Sequence, residues 1–192
     1  MNNIPSSDIE RGLAKLSEAV LTEYQRVQPI LKSAFTEEEL IIWAKEGLTI
    51  GNQTVRSWEA SVEYFRASPD VSKILAFQSF MQWARCGTYL VKESPTLAVS
   101  FFKASPGIVG HLRPQYVSRW AGLGRSLYKG TWKSSTLATQ FFQVSPGLIK
   151  TLPFWDVEVF CSLIEALSQK SYDVAAECLI LGQEALSKMG RE

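Results

Sequence analysis

Along "SSTLATQFF", residues 134 to 142, Ala138 and Phe142 stand four apart and share one helix face; along "YVSRWAGLGRSL", Trp120, Gly124 and Leu127 follow at i, i+4 and i+7. Both stretches read as helices with one apolar face. The pattern returns at a longer period. With Pro69, Pro106 and Pro146 as anchors, Trp83, Trp120 and Phe160 stand fourteen residues on, Gly87, Gly124 and Ile164 eighteen on, and Leu90, Leu127 and Leu167 twenty-one on. Phe65, Phe102 and Phe142 stand four before each proline, and Ser57, Ser94 and Ser134 twelve before. An earlier anchor, Pro29, selects Trp43, Gly47 and Ile50. Anchor spacings are 40 (29 to 69), 37 (69 to 106), 40 (106 to 146) and 37 (146 to 183), and Gln183 stands where a fifth proline would fall.

Each recurring position has a local meaning. The first Ser of a copy is placed to cap a helix. In the Ser-Pro pair, Ser145 reads as a second N-cap and Pro146 as the first residue of a new short helix, "PGLIKTL", where its missing N–H has no partner to lose. Pro114 and Pro153 end these short helices. A unit therefore reads as two full helices flanking a short one, about 40 residues long. Thr36 with Glu39 forms a capping box, and "SSDIERGLAKLSEAVLTEYQRV" reads as one longer amphipathic helix with Ser17 inside it. One unit cannot bury both its Phe pair and its Trp, whereas neighbours in a row share a core. The expected fold is all-α: a helical repeat solenoid resembling armadillo and HEAT repeats, with about four repeats of 37 to 40 residues and a truncated final unit. It forms a single domain over 1–192, with an N-terminal helix in 1–28, repeats over 29–182 and a C-terminal helix end at 183–192.

Composition fits a folded core, with 46% hydrophobic and 20% charged residues over 192 positions. No apolar run reaches the roughly 18 residues of a membrane span, and "MNNIPSSDIERG" lacks the apolar centre of a signal peptide. These features predict a cytoplasmic protein with no membrane partner. Cys86, Cys161 and Cys178 show neither paired spacing nor a disulfide framework and read as small core residues in a reducing compartment. His111 has no nucleophile or metal partner at a recognisable spacing, and no phosphate-binding loop or zinc quartet occurs. The expectation is a non-enzyme with no cofactor and no metal.

Charge is segregated along the chain. No acidic residue occurs over the 62 positions between Glu93 and Asp156, which hold Lys103, Arg113, Arg119, Arg125, Lys129, Lys133 and Lys150. Residues 1–93 carry 10 basic and 12 acidic residues, and 156–192 carry 3 and 7, so a formal net charge of +1 hides a positive middle between acidic ends. Either these seven charges gather into a patch or they spread around all sides of two units. On the Trp120 helix, Arg125 and Lys129 point away from the Trp120 and Gly124 face and are expected to be exposed. Trp132, in the loop "YKGTWKSS" with Lys133, is either an exposed aromatic anchor or a packing residue.

The pattern of Trp, Gly and Leu at fourteen, eighteen and twenty-one, joined to "LA-x-x-FF-x-x-SP", resembles the helical repeats preceding the von Willebrand A domain in bacterial proteins of the nitric-oxide-reductase-activation type. The resemblance spans most of 29–183 and implies an adaptor working beside MoxR-type ATPases; the metal-binding D-x-S-x-S of that domain is absent. The function expected from the residues is a non-catalytic protein-interaction scaffold. Its partner-binding residues are Arg113, Arg119, Arg125, Lys129, Trp132 and Lys133, and its partner is a protein with an acidic segment. The alternative is a HEAT-like protein binding nucleic acid through the same basic surface.

Overall fold

The computed structural model describes residues 6–130 and 134–189, and all the regular structure among them is helical. The helices are α1 (Ser6–Leu16), α2 (Glu18–Leu31), α3 (Glu37–Gly51), α4 (Trp58–Ser72), α5 (Phe77–Glu93), α6 (Pro95–Ala104), α7 (Pro114–Gly130), α8 (Ser134–Thr151), α9 (Phe154–Ser168) and α10 (Tyr172–Met189). They divide into two compact units, residues 1–106 and 107–192. In the first unit α4 packs between α2 and α6 to form one layer, α3 packs on α5 in a second, and α1 covers α2 and α3. In the second unit α8 packs on α10 and α7 on α9, with α7 joined to α8 and α9 to α10.

The Ser-Pro pairs do not restart the chain as the sequence signature implies. Pro29, Pro69 and Pro146 lie inside α2, α4 and α8, so the expected short third helix is the last part of the first one, and each copy contains two helices. At Pro106 the helix tightens into a single 3-10 turn, Ser105–Gly107. The serine hydroxyls show why. Ser68, Ser105 and Ser145 donate to the carbonyls of Tyr64, Phe101 and Phe141 at 2.7, 2.7 and 2.6 Å, the back-bond to i−4 of a continuing and slightly bent helix. None of the three is an N-cap.

The same hydroxyls close the junction between one copy and the next. Trp43, Trp83 and Trp120 donate their indole N–H to Ser68, Ser105 and Ser145 at 2.9, 2.8 and 3.1 Å. One turn along each Trp helix, Gly47, Gly87 and Gly124 accept the rings of Phe65, Phe102 and Phe142; a Cβ on any of these glycines would overlap the ring tip. Each Phe meets its Trp edge to face, with ring centroids 4.9, 5.2 and 5.1 Å apart. The fourth junction exchanges all four members together. Phe160 replaces Trp and Gly182 replaces Ser, so donor and acceptor disappear as a pair, and Ile164 replaces Gly where Leu179 replaces Phe, so volume is kept. Ile164 and Leu179 are fully buried, and a Cβ on Gly182 would lie 2.8 Å from the Phe160 ring.

Other expectations divide. The Thr36–Glu39 capping box forms, with Thr36 N–H 2.8 Å from Glu39 Oε2. Pro114 opens α7 and Pro153 directly precedes α9. The long opening helix breaks at Ser17, whose hydroxyl accepts from Ala19 N–H at 3.2 Å, so its match to the register is a real cap. Ser57 and Ser94 make no side-chain cap. The buried Ser57 hydroxyl instead lies 2.6 Å from the Thr54 carbonyl and 2.8 Å from that of Gly51, pinning the preceding turn.

Candidate interaction surface

Trp155 is 62% exposed on α9, while His111 is exposed with no metal-binding group of three ligands among the described residues. Burial, reinforced by Glu158 and Glu165, pushes the Cys161 thiol well above its ordinary range, which leaves it protonated and unreactive.

Of the basic residues singled out in the sequence, Arg113 precedes α7 and is exposed, Lys129 is exposed, and Arg125 is half-buried rather than fully exposed as its helix position implied. Arg119 turns toward α9, where it pairs with both oxygens of Glu158 at 2.6 and 2.8 Å and lies 5.7 Å from the Tyr116 ring centre. Tyr116 in turn stacks on Phe154, with centroids 4.9 Å apart. At 100° per residue Arg119 is about 120° around the helix from Arg125. Folding thus brings an acidic residue from beyond the 62-residue basic segment against one of its arginines. Trp132 and Lys133 lie outside the described residues.

A second charged feature escaped the sequence reading. Glu23 and Arg26 on α2, Glu63 and Arg66 on α4, and Lys103 on α6 form a ladder across the first layer. Arg26 bonds Glu23 at 2.5 Å and Arg66 bonds Glu63 at 2.6 Å; Arg66 also reaches Glu23 at 3.6 Å, and Lys103 reaches Glu63 at 3.8 Å. The carboxylates are each only 11% exposed and the cations more than half exposed, so the acids form the inner rail. The hydrogen bond to Glu23 raises the Arg26 guanidinium above its ordinary value, against a small opposing effect of burial. Between α4 and α6 the ladder borders a groove of about 210 Å³ whose floor is Ala67, Phe102 and Pro106. The signal was present: Glu23 and Glu63 stand six before Pro29 and Pro69, and Arg26, Arg66 and Lys103 three before Pro29, Pro69 and Pro106. Apolar register positions drew the comparison because they repeat in every copy, whereas this charge pattern gives way to Gln140 and Gln143 at Pro146.

Trp155 stands outside the register for the converse reason. Its register counterparts Glu38, Gln78 and Gln115 are all polar and exposed, so the position falls outside any apolar repeat. No helix among the described residues is long and apolar enough to cross a membrane. No family model, no curated protein and no solved structure matches the chain.

Proposed function

We propose that the chain is a helical repeat scaffold, a non-catalytic protein-interaction adaptor whose two-helix copies continue as an armadillo- or HEAT-like solenoid. The supporting observation is the junction built three times from the same four residue types, Trp and Gly on one helix, Phe and Ser on the next. Stability that resides in neighbour-to-neighbour junctions leaves the outer faces open to variation for binding, as in other repeat arrays. The partner is a protein with an acidic segment, received by Arg113, Arg125 and Lys129 together with Lys133 and Trp132. Engagement of Arg119 by Glu158 removes one cation from this surface, which favours a protein over the denser charge of nucleic acid.

A labelled acidic peptide and a short DNA duplex, titrated separately at low salt, test this reading. Changing Arg125, Lys129 and Lys133 to Glu is expected to weaken the peptide about tenfold, and Trp132→Ala to remove about 2 kcal/mol. Peptide binding that is unchanged in a folded triple variant removes this surface from the proposal. Tight duplex binding with a logarithmic salt slope near −0.9 per phosphate would assign it to nucleic acid instead.

A further inference from the structure

The repeat junctions do not account for the charge ladder of the first layer. On α8 its two places are held by Gln140 and Gln143, yet Trp120, Gly124, Phe142 and Ser145 close their junction as the other copies do. The junction therefore forms without the charges. Ion pairs with half-exposed cations add little stability, and taking Glu23 and Glu63 out of water costs free energy. On α8 acid and base are exchanged together, whereas on α6 only the acid is: Ser100 stands where Glu23 and Glu63 stand, and Lys103 keeps the place of Arg26 and Arg66. A ladder kept for its internal pairs would lose both. Helix α6 contains no Asp or Glu, and Lys103, 61% exposed, meets Glu63 of α4 at 3.8 Å, so outward positive charge is least compensated there.

The cations are set in two gaps. Arg26 Nη2 and Arg66 Nε meet Glu23 at the same oxygen, Oε1, 2.5 and 3.6 Å away, and Arg66 Nη1 and Lys103 Nζ meet Glu63 at its Oε1, 2.6 and 3.8 Å away. Cations that share one oxygen lie close enough together for one incoming carboxylate to touch both. The two acids, each 11% exposed, lie beneath and hold the heads of three long side chains in place before a ligand arrives, which lowers the ordering cost of binding. A guanidinium brings five N–H donors and an ammonium three, enough to serve a second acceptor as well. The Arg66–Lys103 gap opens on the groove between α4 and α6, where half-buried Pro106 with buried Ala67 and Phe102 offers an apolar bed for the methylenes of a Glu side chain. Asp70, which also lines the groove, is paired with Lys73 at 2.8 Å.

Charge selects the occupant. Three cations against two carboxylates leave this face about one net positive charge. That is too little for a nucleic acid, with one negative charge per roughly 1.7 Å of duplex, or for an anionic membrane, which is read by clusters of about 4–8 basic residues. It suits separate carboxylates. The two gaps lie one helix apart, about 8–10 Å for packed helices, and an extended polyproline-type segment returns a side chain to the same face every three residues, about 9 Å. We infer that the α2–α4–α6 face seats an extended acidic segment of a partner protein with two Glu residues three apart, one carboxylate between Arg66 and Lys103 and the other between Arg26 and Arg66. Resting on the interaction-scaffold reading, this seat gives the acidic partner a residue spacing and lies in the other compact unit from the α7 surface.

The probe is a fluorescein-labelled peptide with the core Glu-Pro-Pro-Glu, titrated at low salt and followed by anisotropy, with Gln-Pro-Pro-Gln and Glu-Glu-Pro-Pro cores as controls. Two variants copy what α8 already carries: Lys103→Gln, and Glu63→Gln with Arg66→Gln, the second leaving the net charge unchanged. Thermal melting checks that each is folded. The Glu-Pro-Pro-Glu peptide is expected to bind the parent, to lose about tenfold in each variant, and to bind about tenfold tighter than either control. Equal binding of the adjacent-Glu core, or binding unchanged in both folded variants, is general attraction to a positive face and overturns the proposal, as does no binding to the parent. Duplex DNA that displaces the peptide and is itself weakened by Lys103→Gln overturns it too, assigning the face to nucleic acid. The α7 variant of the preceding test, with Arg125, Lys129 and Lys133 changed to Glu, separates the two surfaces. Loss in that variant with retention in the ladder variants sinks this seat and leaves the α7 surface standing. Loss in the ladder variants with retention in the α7 variant supports this seat whatever becomes of the α7 surface.

Discussion

Gly87 marks the tightest constraint at the residue scale, because Phe102 fills the space a side chain would take. Gly87→Ala forces a buried ring to move and is expected to lower stability by about 1–3 kcal/mol in urea unfolding. Adding Phe102→Leu should recover part of the loss, since Ile164 and Leu179 already make that exchange in the fourth junction. The Trp–Ser bond makes a sharper test. Ser105→Ala leaves the buried Trp83 N–H without its acceptor, a loss of about 1–3 kcal/mol against about 1 kcal/mol for an N-cap. The double change with Trp83→Phe is expected to fall short of the sum of the singles, as Phe160 and Gly182 do without both groups. Alkali reads two other buried residues. Burial, with Glu46 adding, holds Tyr64 well above its ordinary 10.0, and burial raises Cys161 above 9.0. Over that range the unfolded chain releases protons that the native state keeps, so stability is full below pH 9 and falls as pH rises through 9 and 10. Tyr64→Phe with Cys161→Ala should flatten that decline in a pH series of denaturant midpoints.

At the scale of elements, the informative case is a proline inside a helix. Pro146 removes an i−4 bond from α8 and would disfavour the helix by up to about 3 kcal/mol in an isolated peptide. Tertiary contact overrides this, because Trp120 holds Ser145 while Ser145 holds the Phe141 carbonyl. Pro146→Ala is therefore expected to leave stability unchanged or raise it, as followed by thermal melting. A Pro at a true helix start would give no such gain. The charge ladder works between elements as well. Arg66 touches both Glu23 and Glu63, so Arg66→Ala strips a partner from two nearly buried carboxylates and should lower the melting temperature more than Arg26→Ala or Lys103→Ala.

At the scale of the whole molecule, junctions that share no residue should act independently. Gly47→Ala and Gly124→Ala, in different units, are expected to add within about 0.5 kcal/mol when each unit is followed by hydrogen exchange. The sequence by itself determined the all-helical class and the buried apolar positions of each copy: Trp, Gly, Leu and Phe recur because every copy solves the same packing problem, and periodicity reports burial directly. It determined the capping box as well, since that bond closes within four residues. Only the tertiary structure decided what the Ser-Pro pair does. Ser before Pro suits both a helix start and a bent continuing helix, and the indole that selects the second comes from 22 to 25 residues away. It also decided the fate of the charges. A basic run 62 residues long describes the chain, whereas the field at Arg119 depends on Glu158, 39 residues further on. Val174 and Leu181 stand at register positions that are buried on α2, α4 and α8 and are exposed on α10, because exposure belongs to the neighbours a residue has rather than to its own identity.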